Sequence, residues 1–132
     1  MIAAMSFSSP SLDPIFRPRT VAVVGASRRP GSIGHALVHN LLMSGFTGAI
    51  FPVNPHAAAV HSLKCHPSLS AIPDPIDLAV IVVPRDLVLG VVDEAVAKGV
   101  RGLVVITAGF AETGDEGAAL ENELRDRVRA AG

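Results

Sequence analysis

Residues 21–34, with the sequence VAVVGASRRPGSIG, decide the fold that is predicted for this chain. The first four residues form an uninterrupted apolar run, which is typical of a strand covered on both faces of a parallel sheet. Three glycines follow, at Gly25, Gly31 and Gly34, and a helical pattern begins at Ile33. A strand that enters a helix through such a loop directs free backbone N–H groups and the positive end of the helix dipole to one point. The stretch therefore predicts an anion site, and most often a phosphate site.

The spacing of the glycines argues against the two commonest nucleotide motifs. A dinucleotide fingerprint requires G-x-G-x-x-G and an acid at the end of the second strand, but here that strand ends in PVNP, residues 52–55. A P-loop requires a lysine after its last glycine, and none follows Gly31. A longer basic loop with Arg28 and Arg29 remains, which suits a pyrophosphate. The alternative that the glycines only form a tight turn stays open.

The composition indicates one globular domain. The chain has 132 residues, and its apolar runs are of strand length, far below the ~20 residues that span a bilayer. The net charge is −1 and there is no Trp or Tyr, so nothing suggests nucleic-acid binding. The single cysteine, Cys65, cannot form an internal disulfide, which favours a reducing compartment. We expect a cytoplasmic protein with no membrane partner, and a flexible lead-in over residues 1–11.

Strands and helices alternate along the rest of the chain. Further strands are predicted at 49–53, 78–83 and 102–106, with a short extended piece at 60–65 and a helical turn at 68–72. A helix follows residue 86, with Asp86 as its expected cap and Gly99 at its end, and a last helix carries Leu120, Leu124 and Val128. This order predicts an α/β, Rossmann-like, three-layer fold over residues 12–132, with a parallel sheet and helices on both faces. Ligands of such sheets lie at the carboxyl ends of the strands.

No catalytic or metal-binding residue is predicted. His35 and His39 have a helical spacing that can hold zinc, but no third ligand accompanies them. His61, Cys65 and His66 lie in an irregular segment without a second cysteine pair. Ser27 lacks the G-x-S-x-G context of a nucleophile.

Several of these motifs together resemble a known family. RPRTVAVVGAS, the PVNP strand end, IDLAVIVVP and GLVVITAGFAETG resemble the CoA-binding domain of NDP-forming acyl-CoA synthetases, which is related to the α subunit of succinyl-CoA synthetase. The same domain also occurs in bacterial protein lysine acetyltransferases. The resemblance runs from about residue 12 to residue 132. It implies a Rossmann-like domain that holds coenzyme A.

The resemblance also implies a set of cofactor-binding positions. The backbone at the start of the first helix would cradle the CoA diphosphate, the end of the second strand would line the nucleotide, and the later strand ends would flank the pantetheine arm. The predicted positions are Gly25, Ala26, Ser27, Arg28, Gly31, Ser32, Ile33, Gly34, Pro52, Val53, Asn54, His56, Val83, Pro84, Ile106, Thr107, Ala108 and Gly109.

Two departures from the family pattern affect the functional expectation. His56 stands where relatives often carry a lysine that meets a CoA phosphate. The phosphorylated histidine of the synthetases lies in a later domain, and none of the five histidines here fits its motif. The chain is therefore expected to be the front part of a larger protein, without complete catalytic machinery of its own.

Three functional hypotheses remain open. The first is a CoA- or acyl-CoA-binding domain of a synthetase, which works with downstream domains or a partner subunit and can form a homo-oligomer. The second is a regulatory domain of a protein lysine acetyltransferase. The third is a Rossmann domain that binds NAD, against which the missing acid after the second strand counts.

Overall fold

The computed structural model describes residues 2–6, 17–106, 122, 123 and 126. The elements in chain order are β1 (Ile2–Ser6), β2 (Thr20–Val24), α1 (Ile33–Met43), β3 (Ala49–Val53), β4 (Ala59–Val60), β5 (Leu63–Lys64), β6 (Leu78–Ile81), α2 (Arg85–Lys98) and β7 (Gly102–Ile106). Asn122, Glu123 and Asp126 are helical, in the segment predicted as the last helix. The apolar stripe predicted for that helix lies outside the described residues.

Four parallel strands form the centre of the sheet, whose full order is β1-β7-β6-β2-β3. Val21 pairs with Ile50 of β3 on one side and with Leu78 of β6 on the other, so β2 lies between these two strands. The chain proceeds from β2 to one side of the sheet and then returns to the other side. The predicted parallel α/β sheet is confirmed.

An antiparallel strand at the edge was not expected. Residues Ile2–Ser6 pair with β7, with Ile2 opposite Ile106, in a segment for which a flexible lead-in was predicted. The composition alone gave no strand pattern there. Pairing satisfies the N–H and C=O groups that β7 would otherwise leave unpaired at the sheet edge.

Two apolar cores cover the two faces of the sheet. Along β2, Ala22 and Val24 face the core that contains Val88, Val92 and Ala95 of α2. Val21 and Val23 face the other core, with Val38 of α1 and Val60 of β4. This alternation follows from the two-residue period of a strand, and it confirms the three layers that the sequence predicts.

A short hairpin and a turn connect β3 to β6. The predicted extended piece is an antiparallel pair of β4 and β5, and His66 then hydrogen-bonds alongside β3 through its N–H to Pro52 O at 3.0 Å. Residues 68–72 form the predicted turn, in which Ala71 N–H donates to Ser68 O and Ile72 N–H to Leu69 O. This segment brings Pro67, Ser68 and Leu69 beside the end of β3.

The helix ends differ in how their polar groups are satisfied. The Ser32 hydroxyl caps α1 by accepting the His35 N–H at 3.2 Å. The expectation that Asp86 caps α2 is wrong, because Pro84 occupies the N-cap position and Asp86 lies in the first turn. Gly99 ends α2 in a left-handed conformation with φ 84°, as predicted. None of the helices in the described part of the chain is long and apolar enough to cross a membrane.

Two glycines permit a very close approach of α1, β2 and β6. A Cβ atom at Gly34 would lie 2.0 Å from the carbonyl oxygen of Gly25. At Gly25, where φ is +96°, a Cβ atom would lie 1.8 Å from Val82 O. Real side chains do not tolerate such distances, so these positions require glycine for packing.

Cys65 lies in the core on the α1 side and is 7% exposed. Burial raises the pKa of its thiol, and the positive charge of Arg28 lowers this pKa by a smaller amount. The thiol therefore stays protonated at neutral pH.

We expect opposite effects of alanine at two glycines within helices. Gly34→Ala should lower the free energy of unfolding by about 2 kcal/mol or more, since the new methyl group meets the Gly25 carbonyl. Gly90→Ala should raise it by about 0.5–1 kcal/mol, because its Cβ would meet no atom within 4 Å and alanine favours the helix. Urea denaturation measures both. A Gly34→Ala protein as stable as wild type would contradict the packing argument.

We also expect Cys65 to react slowly with a disulfide reagent such as DTNB in the folded protein at pH 8, and rapidly in urea. The stability that the buried neutral thiol contributes is present below the usual thiol pKa and is lost as pH rises through the raised pKa. The stability difference between wild type and Cys65→Ala should therefore shrink at alkaline pH. Equal reaction rates in the folded and unfolded protein would contradict this assignment.

Candidate functional site

The carboxyl ends of β2, β3 and β6 open onto a cavity of about 500 Å³, here called the apolar cleft. It also borders the first turns of α2 and the turn after His66. Its lining comprises Val24, Gly25, Val53, Asn54, Pro55, Pro67, Ser68, Leu69, Val83, Leu87, Gly90, Val91 and Glu94. The cleft lies where the chain order reverses in the sheet, which is the usual ligand position in such folds.

The apolar cleft has few polar groups. Leu87 lies at its border and is 56% exposed. The ionisable side chain of the lining is Glu94, whose Oε1 accepts the Ser70 N–H at 3.0 Å. Such a lining favours an uncharged or weakly polar group and disfavours a phosphate.

The loop of residues 25–32, here called the glycine loop, has the opposite character. Two of its hydrogen bonds are local: Ser27 Oγ accepts the Arg29 N–H at 3.0 Å, and Ser32 Oγ donates to Arg29 O at 2.9 Å. No acceptor among the described residues takes the N–H of Ile33 or Gly34, at the positive end of α1. Gly31 has φ +90° and faces open space.

Asn54 joins the glycine loop to the end of β3. Its Nδ2 donates to Ala26 O at 2.8 Å, and its Oδ1 accepts the His56 N–H at 2.7 Å. Both the amide nitrogen and the amide oxygen of Asn54 thus form hydrogen bonds with backbone groups of this chain. Asn54 therefore holds the two strand ends in place and borders the apolar cleft.

A second cavity, of about 420 Å³, lies between the first turn of α1 and the β4–β5 hairpin. Its lining is Arg28, His35, Ala58, Ala59, His61 and Ser62. Its two histidine rings lie with their centroids 4.4 Å apart. Within the described ranges no three His, Cys, Asp or Glu side chains are arranged to hold a metal ion.

The structure distributes the predicted site residues over several parts of the molecule. Those that line the apolar cleft are Gly25, Val53, Asn54 and Val83. Arg28 lines the second cavity, while Ser27, Gly31, Ser32, Ile33 and Gly34 form the glycine loop and the start of α1. Ala26 and Pro52 are buried, His56 and Pro84 are exposed beside the site, and Ile106 ends β7. Thr107, Ala108 and Gly109 lie outside the described residues.

Sequence reasoning missed the contribution of α2 and of the turn after His66. Leu87, Gly90, Val91 and Glu94 line the apolar cleft from one side of α2. The sequence predicted a helix in this segment but assigned none of these four residues to a site. His35 and His61 were likewise examined only as metal ligands, because their proximity depends on tertiary packing.

Comparison with known proteins identifies the family. Residues 19–132 match the family described as CoA binding domain. The chain is 42% identical to acetate–CoA ligase [ADP-forming] II of Archaeoglobus fulgidus over 96% of its own length and 19% of that protein. It is 41% identical to the α subunit of acetate–CoA ligase [ADP-forming] I of Pyrococcus furiosus, over 92% of this chain and 27% of that subunit.

A solved structure supports the same relationship. The apo form of acetyl-coenzyme A synthetase 1 from Candidatus Korarchaeum cryptofilum superposes with a TM-score of 0.82 and 43% identity, over 92% of this chain and 26% of that one. The chain thus spans about a fifth to a quarter of the length of these relatives. Coenzyme A, the predicted cofactor, agrees with the family match. By both sequence and fold, this chain belongs to the family of CoA-binding domains found in NDP-forming acyl-CoA synthetases.

Proposed function

We propose that this chain holds CoA or an acyl-CoA for an NDP-forming acyl-CoA synthetase, with the diphosphate at the glycine loop and the uncharged parts in the apolar cleft. The observation that carries the proposal is the separation of charge at the site. On one side lie Arg28, Arg29 and the N–H groups of Ile33 and Gly34, for which the described residues supply no acceptor. An acid and apolar side chains line the other side.

The glycine loop supplies what a diphosphate needs. Two N–H groups at the start of α1 lack an acceptor among the described residues, and the helix dipole adds positive potential at the same place. Gly31 has open space where a side chain would otherwise stand, so a ligand can approach the backbone closely. Two arginines in the loop add charge without a bound metal ion.

The apolar cleft suits the rest of the molecule. Its volume of about 500 Å³ is in the range of pockets that hold small ligands. We place the adenosine against Val53, Asn54 and Pro55, at the end of β3. The pantetheine arm then passes Val83 and Pro84 towards the end of β7, which presents the thiol at the edge of the domain.

The acyl transfer itself is assigned to other domains or to a partner subunit. The relatives named above are ligases and an α subunit of several times this length. A CoA site orients the thiol, whereas phosphoryl chemistry needs further groups. In this proposal the chain contributes binding and orientation.

Isothermal titration tests the cleft. We expect CoA to bind, NAD to bind more weakly, and Gly90→Leu to weaken CoA binding at least tenfold, which is about 1.4 kcal/mol. The leucine enters the cleft from α2, where the Cβ position is free, so the fold is kept. Ala97→Leu, at an exposed position of the same helix outside the cleft, is the control. Equal or tighter NAD binding, or unchanged affinity in Gly90→Leu, would contradict the proposal.

A second pair of variants tests the glycine loop. Gly31→Val should weaken CoA binding at least tenfold, because the branched side chain fills the space through which the diphosphate approaches. Gly45→Val is the matched control: Gly45 also has positive φ, +82°, and open space, but it lies beyond the other end of α1. Circular dichroism verifies that both variants fold. If Gly31→Val and Gly45→Val bind CoA equally well, the glycines form only a turn.

A further inference from the structure

The cavity between α1 and the β4–β5 hairpin has its own chemistry, and we call it the histidine–arginine pocket. Its polar lining consists of Arg28, His35, His61 and Ser62, while Ala58 and Ala59 leave space. The His61 ring lies 4.4 Å from the His35 ring and 5.5 Å from the His39 ring, measured between centroids. Several N–H donors therefore surround a cavity of about 420 Å³.

The charge of this pocket is positive. Arg28 is a permanent cation, and none of the described carboxylates pairs with it or lines the pocket. Its charge also acts on the Cys65 thiol nearby. A guanidinium group binds phosphate through two parallel N–H bonds, and imidazole N–H groups can add further bonds.

His61 is held in an unusual position. It has φ 49° and is followed by Ser62 with φ 66°, so the hairpin turn presents both residues from a left-handed backbone. The Nε2 atom of His61 is buried and has no hydrogen-bond partner in the described part of the chain. An acceptor that draws this nitrogen towards the pocket gains a hydrogen bond without breaking one.

We infer that the histidine–arginine pocket binds the 3′-phosphate of CoA, and so distinguishes CoA from its 3′-dephosphorylated form. The inference rests on the proposed function, since it names the part of the same ligand that this pocket takes. CoA carries a phosphomonoester on its ribose in addition to the diphosphate, and a dianion of this kind needs a cationic environment. The apolar cleft, with Glu94 in its lining, does not offer one.

The position of the pocket agrees with this role. Arg28 belongs to the glycine loop that is proposed to hold the diphosphate, and His35 directly follows Gly34 at the start of α1. Ala58 and Ala59 come shortly after the end of β3, against which the adenosine is placed. We therefore place the ribose between these elements and direct its 3′-phosphate to the pocket.

The test compares CoA with 3′-dephospho-CoA by isothermal titration of the chain. Wild type should bind CoA at least tenfold more tightly. His61→Asn should reduce this ratio several-fold and leave the affinity for dephospho-CoA nearly unchanged. Arg28→Ala should also reduce the ratio several-fold, and it should weaken both compounds because Arg28 belongs to the glycine loop as well as to the pocket. Asparagine is chosen at position 61 because it tolerates the left-handed backbone.

Arg29→Ala is the matched control, because Arg29 is exposed, adjacent to Arg28 and absent from the pocket lining. It should preserve the ratio. A loss of the ratio equal to that in Arg28→Ala would show that net charge alone accounts for the preference, and would overturn the assignment. Titration with inorganic phosphate and with adenosine 3′,5′-bisphosphate separates a free-phosphate site from a nucleotide site; tight binding of phosphate alone would also overturn it.

The two proposals fail in different ways. Equal affinity for CoA and dephospho-CoA in wild type overturns the inference about the pocket and leaves the CoA-binding function standing. Absence of binding for both compounds overturns the function and the inference together.

Discussion

The approach of Gly34 to the Gly25 carbonyl is the constraint on which the rest of the site depends. With no side chain between them, α1 begins directly against the end of β2, and Gly25 in turn lies against the backbone of Val82 beyond β6. Three elements thus meet at one point. The positive end of α1 is thereby fixed at the carboxyl edge of the sheet, and the arginines of the glycine loop are brought to the same edge.

The sheet lies between two cavities of different character. Leu87, Gly90 and Val91 of α2 define an apolar cavity on one side, while Arg28, His35 and His61 border a polar one on the side of α1. The end of β3, with Asn54 next to it, lies between the two. A ligand that combines phosphates with an extended, weakly polar arm can therefore use both cavities at once. A compound with only one of these features would leave half of the site unused.

The sequence predicted the elements better than the surfaces they create. Apolar runs placed β2, β3, β6 and β7 within a few residues. The pattern is strongest in β2 and β6, because these inner strands are buried on both faces and read as continuous apolar runs. Gly99 was likewise predictable, since its left-handed end is a local property of the chain. The strand Ile2–Ser6 was missed, because its pairing depends on the free edge of β7 and leaves no local pattern.

The site residues divide in the same way. Gly25 and Asn54 come directly after β2 and β3, and both were predicted from the motifs at these strand ends. Glu94 and His61 reach the site only through the packing of α2 and of the hairpin, respectively, so no spacing rule links them to Gly25. Residues that meet through tertiary contacts are visible only when the fold is known.

The hydrogen bonds of Asn54 have a consequence for the entropy of association. Because one amide side chain connects Ala26 O to the N–H of His56, the loop after β2 and the loop after β3 are already fixed relative to each other before any ligand arrives. When a ligand has to order two independent loops, the lost conformational entropy makes the free energy of binding less favourable. Here much of that ordering occurs during folding, so the loss of freedom on binding falls mainly on the ligand.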